Sequence, residues 1–60
     1  MKPSEIKFDK QYRGRDGKIR HVEKIYPEKD LIYWFGWCRN RNTSCYQSLK
    51  TFARWARFEI

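Results

Sequence analysis

The sequence predicts a mainly β domain: four short antiparallel strands and a short helix, arranged as a meander or a small SH3-like barrel. Three observations predict it. Asp16-Gly17 stands between two strand-like runs, and glycine there accepts the positive φ of a tight hairpin turn. Residues 31–38 (Leu-Ile-Tyr-Trp-Phe-Gly-Trp-Cys) are apolar on both faces, short for a helix and rich in strand-forming side chains. Leu49, Phe52, Ala53 and Ala56 recur at the i, i+3, i+4, i+7 spacing of one helical face, with Ser48 ahead of them as an N-cap.

Taken in order, residues 1–5 are expected to fray, leaving 6–60 as a single small domain. Ile6 to Tyr12 alternates loosely between apolar and charged residues and reads as the first strand. A turn over 13–18 leads to a second strand from Ile19 to Tyr26. There Val22 and Ile25 lie three apart, which breaks the alternation and marks a bulge or an end of pairing. Pro27 to Asp30 forms the next turn and 31–38 the third strand. A polar turn, Arg39 to Asn42, precedes a short fourth strand, Thr43 to Gln47. The helix of about two turns follows, and Arg57 to Ile60 is a last extended piece. On the third strand Tyr33, Phe35 and Trp37 share one face and Ile32 and Trp34 the other; periodicity alone leaves open which face is buried.

The supply of apolar side chains suits a very small core. A 60-residue domain buries only about 60% of the surface its unfolded chain exposes. Eleven aromatic residues stand beside five Ile, two Leu and one Val, so rings fill space that aliphatic side chains fill elsewhere, and some rings must remain outside. Fourteen Lys and Arg against seven Asp and Glu give a net charge of +7, which points to an anionic partner. No apolar run reaches the length of a membrane span. The start has no hydrophobic segment behind its charge, and two cysteines are too few for a disulfide-stapled secreted miniprotein. A cytoplasmic chain without a membrane partner is expected.

Connectivity distributes this charge. In an up-and-down sheet the first and third turns share one end and the second lies at the other. Arg13, Arg15 and Lys18 with Asp16 sum to +2 in the first turn. Arg39 and Arg41 contribute +2 in the third, while Lys29 with Glu28 and Asp30 leaves −1 in the second. Lys50, Arg54 and Arg57 fall at i, i+4 and i+7, a basic stripe beside the apolar face of the helix. Arginine grips phosphate oxygens bidentately and stacks on bases. With Tyr33, Trp34 and Trp37 as candidate stacking rings, these eight cations form the expected nucleic-acid-binding set. Against this stands the plain reading that turn charges solvate a small domain and that most rings are core.

Other groups suggest no chemistry. His21, the only histidine, has no nucleophilic partner at a telling spacing and reads as a strand residue. Cys38 and Cys45 with one histidine make no zinc set. A turn centred between Arg41 and Asn42 would set them directly opposite each other, able to bridge on oxidation, with two reduced thiols as the default. The acids are scattered, and there is no P-loop, dinucleotide fingerprint or nucleophile elbow. No catalytic residue, metal or cofactor is expected, and the chain reads as a non-enzymatic binding domain.

Residues Tyr12-Arg-x-Arg-Asp-Gly-Lys-x-Arg20-x-Val22, the aromatic strand and Cys45-x-x-Ser-Leu49-x-x-Phe52 give a layout that resembles short basic proteins of bacteriophages and prophages. The resemblance covers residues 10–56. It implies a role in host or phage DNA transactions or in blocking a host protein, and it carries over no functional residue. Two functions follow as expectations: nucleic-acid binding, with Trp, Tyr and Arg also suiting the rival reading, a module docked on an acidic host protein. The domain would be a monomer or a weak dimer through an open aromatic face.

Overall fold

A computed structural model describes residues 1–60. Five antiparallel strands form one sheet: β1 (Gln11–Gly14), β2 (Ile19–Tyr26), β3 (Leu31–Cys38), β4 (Arg41–Ser48) and β5 (Ala56–Glu59). A single helix, α1 (Leu49–Trp55), sits between β4 and β5. The spatial order is β4-β3-β2-β1-β5, so β4 and β5 are the two edges of an open sheet. No helix is long and apolar enough to cross a membrane.

The expected first hairpin forms where the turn chemistry placed it. Gly17 takes φ 81°, and the Lys18 amide donates to Asp16 Oδ1 at 3.1 Å. The first strand, however, begins at Gln11 and not at Ile6. Ile6 is buried under the helix side of the sheet without belonging to it. Nor is the start of the chain frayed. Pro3–Glu5 is a 3₁₀ turn, and the Met1 ammonium donates to the carbonyls of Ala53 and Ala56. The bulge expected in β2 is present, as a register shift between Val22 and Lys24 against β3.

The third turn is shorter than its polar composition suggested. Arg39 and Asn40 alone make it, both with positive φ (54° and 64°), the two-residue geometry whose twist matches a hairpin. Arg41 and Asn42 therefore belong to β4. The shift changes every pairing: Cys38 faces Arg41 and Cys45 faces Trp34, so the cysteines are not opposite each other. They are nevertheless joined as a disulfide, with Cα atoms 6.8 Å apart, and not held as two thiols. Positions four residues apart on a flat strand are separated by about 13 Å. The hairpin tip must therefore curl over the sheet face that carries both cysteines.

That face is the buried one. Ile32, Trp34 and Val22 point to it, and α1 closes it with Leu49, Phe52, Ala53 and Trp55. Tyr12 is fully buried beneath the helix, its ring edge-on to Phe52 at 6.0 Å. Its hydroxyl accepts from the Lys7 amide at 2.8 Å and anchors the segment before β1.

A helix of seven residues is too short to persist alone, so packing and capping hold it. Ser48 Oγ accepts from the Thr51 amide, as its position predicted. Asp30, at the end of the second turn, adds a second cap from afar. Its carboxylate accepts from Ser48 Oγ at 2.7 Å and from the Lys50 amide at 3.0 Å, and its carbonyl accepts from the Leu49 amide. The Ser48 bond, followed by the Lys50 amide, holds the Asp30 carboxyl below its usual range. The folded chain thus keeps this carboxylate ionised at lower pH than the unfolded chain does. Its contribution is complete above about pH 4 and is lost as pH falls through the depressed value. Thermal unfolding followed from pH 7 to pH 2 should show a fall in melting temperature below pH 4 that is reduced in Asp30→Asn.

Gly14 marks the closest approach of β1 to the helix. A Cβ there would overlap the Trp55 indole. Gly14→Ala should destabilise the domain by about 1–3 kcal/mol, as overpacking does in other cores, measured by urea unfolding.

Candidate nucleic-acid interface

Because α1 covers only one side of the sheet, the opposite face of β3 has no protein over it. Tyr33 pairs with Tyr46 and Lys24, Phe35 with His21 and Ser44, and Trp37 with Asn42. Directly paired residues project to the same face. Phe35 (45% exposed), Trp37 (44%) and Tyr46 (69%) therefore form an outer aromatic row. Tyr33 is half-buried within it, its ring 5.7 Å from Tyr46 and 6.1 Å from Tyr26. Ile19 and Phe58 extend the exposed apolar surface toward β1 and β5.

The basic turns border this row. β2 begins beside the end of β3, with Arg20 opposite Gly36, so the first and third turns share one end of the sheet. Lys18 Nζ lies 5.8 Å over the Trp37 ring and links the first turn to the row directly. Arg13, opposite Ile19 and Phe58, donates to the Gly17 carbonyl at 2.9 Å. Two acids also stand on this face. Asp9 is paired with His21 at 3.0 Å, and Glu23 accepts from Ser44 Oγ at 2.8 Å.

On the helix side a second basic site appears. Arg15, Arg20 and Arg54 line a pocket of about 350 Å³ together with Gln47, Thr51 and Trp55. Arg20 is its structural centre. Its guanidinium is held between the rings of Trp34 and Trp55, 4.0 and 4.1 Å from their centroids. Nη1 donates to Gln47 Oε1 at 3.0 Å, while Nε is buried without a partner. Trp55 is itself fixed by donating from Nε1 to Asp16 Oδ1 at 3.0 Å. Burial lowers the Arg20 pKa, partly offset by the Asp16 charge, and the group stays charged. Burial acts to raise the Asp16 pKa. The Lys18 amide, the Trp55 indole and the Arg20 charge outweigh it, so Asp16 remains an anion below the usual range.

The expected residues thus divide. Lys18, Tyr33 and Trp37 come together on the outer face, with Arg13 beside them and Arg39 and Arg41 at the shared end. Arg15 and Arg54 meet in the pocket. Three expectations fail. Trp34 is 3% exposed and stacks on Arg20 in the core, because the even-numbered residues of β3 face the helix. Arg57 leaves the helical stripe because α1 ends at Trp55 and Arg57 lies in β5. Lys50 lies at the opposite end, in the groove with Glu28 and Asp30. Phe35, Tyr46 and Arg20 were missed as site residues. The alternation Arg20, Val22 was the available signal for Arg20, since it sets both on one face.

None of the fourteen Lys and Arg forms an ion pair with a carboxylate; His21–Asp9 is the only pair. The sequence matches no protein-family model, and no curated protein or solved structure is significantly similar to it. Function is therefore read from the geometry.

The Arg20 clamp is open to a direct check. Lysine carries a compact ammonium that cannot lie flat between two indoles. Arg20→Lys should cost about 1–2 kcal/mol in urea unfolding and shift the tryptophan emission.

Proposed function

We propose that the protein is a non-enzymatic nucleic-acid-binding domain that takes single-stranded bases on its outer sheet face. The observation that carries this reading is the uncovered row of Tyr33, Phe35, Trp37 and Tyr46, bordered by cations without protein counter-ions. Every base has a face that stacks on such rings, at about 1–3 kcal/mol per base. Lys18, Arg13 and Arg39 lie where the backbone of a strand crossing the row would supply phosphates. Asp9 and Glu23 count against contact near β2, and each is occupied by a neighbour, His21 or Ser44. We also read the open sheet as a small SH3-like barrel. The return of β5 to β1, with a short helix between β4 and β5, supports it.

The test is titration with short DNA and RNA oligomers. Trp37→Ala and Phe35→Ala should each weaken binding by about 1–3 kcal/mol, roughly 5- to 150-fold. Both side chains are half-exposed, so the folded state should be retained. Log affinity should fall linearly with log salt. A flat salt response, with capture of one stoichiometric protein after nuclease treatment, would replace this reading with docking on an acidic protein.

A further inference from the structure

The helix-side pocket is on the buried-face side of the sheet, separate from the aromatic row, and base stacking leaves it without a role. Its walls come from the first turn (Arg15), β2 (Arg20), β4 (Gln47) and α1 (Thr51, Arg54). Three guanidinium groups line it, and Asp16 is the neighbouring acid, bound to Trp55 and Lys18. Arg20 cannot turn away to find a counter-ion, since two indoles hold it and Gln47 takes one nitrogen. No protein acceptor takes a hydrogen bond from Nη2, while Nε, buried without a partner, is closed to solvent and so to any occupant of the pocket. A half-buried cation with unused donors is costly unless an anion completes it.

We propose that this pocket is a phosphomonoester site, and that its occupant is the terminal phosphate of a nucleic-acid strand. The charge selects the monoester. At neutral pH it carries about −1.5 to −2 charge and three acceptor oxygens, against three guanidiniums and one carboxylate. An internal diester offers one charge and two free oxygens, and its chain must both enter and leave. A pocket walled by a turn, two strands and a helix receives an end more readily than a continuing backbone. Arg15 and Arg54 close on the oxygens from the turn and the helix, and the Thr51 hydroxyl and Gln47 amide supply neutral donors. Naming a strand end rests on the nucleic-acid reading above; the phosphomonoester chemistry does not.

The experiment compares identical oligomers ending in 5′-phosphate, 3′-phosphate or hydroxyl, alongside a 5′-mononucleotide and inorganic phosphate. The Trp55 indole N–H resonance reports the pocket. A terminal phosphate should raise affinity by about tenfold or more, the size of a charge-assisted hydrogen bond. Arg15→Ala and Arg54→Ala, both exposed positions, should abolish that increment while the hydroxyl-ended oligomer still binds. Equal affinity of phosphorylated and hydroxyl-ended oligomers, together with a Trp55 signal that neither the mononucleotide nor inorganic phosphate moves, overturns the proposal and leaves the outer-face reading intact. If the mononucleotide moves the Trp55 signal but strand ends do not, the phosphomonoester site stands and the strand-end assignment falls. Failure of every oligomer to bind removes the outer-face reading and the strand end together.

Discussion

The stacking of the Arg20 guanidinium between Trp34 and Trp55 joins the two layers of this domain. One indole belongs to the middle of the sheet and the other to the last turn of the helix. A chain of this size has few aliphatic side chains with which to fill the space between them. A planar cation does so here, with flat contact on both faces and a polar edge toward the pocket. Asp16 steadies the arrangement from the first turn by orienting the Trp55 ring. The same carboxylate shapes its own turn through Lys18, so one acid sets both a hairpin tip and a core ring.

From that clamp the division of the surface follows. The helix can cover only the face carrying Trp34, and the odd-numbered rings of β3 are left outside. The outer face is therefore aromatic because the core needed the alternate residues of an all-apolar strand. The pocket exists for a related reason. Arg20 must reach between the layers at their margin, and Arg15 and Arg54 flank that margin from the turn and the helix. An exposed aromatic face and an arginine-lined recess thus arise on opposite sides of one small sheet.

The two ends of the sheet differ as sharply as its faces. Asp30 gathers the second turn, Ser48 and the helix start into one network of hydrogen bonds at the mildly acidic end. The other end carries arginines and lysines that form no ion pair with a carboxylate. The end that stabilises the helix and the end that carries the basic turns are thereby kept apart.

Local chemistry was readable from the sequence alone. The Asp16-Gly17 turn, the β2 bulge, the strand character of 31–38 and the Ser48 cap depend on neighbouring residues, and all are present. So was the strong positive charge. Register was not readable, because it turned on whether Arg39 and Asn40 alone could adopt positive φ, and that moved the Cys38 and Cys45 pairings. The inward face of β3 and the convergence of Arg15, Arg20 and Arg54 were decided only by tertiary packing. Each depends on where a distant helix lies across the sheet, and no spacing within one segment encodes that.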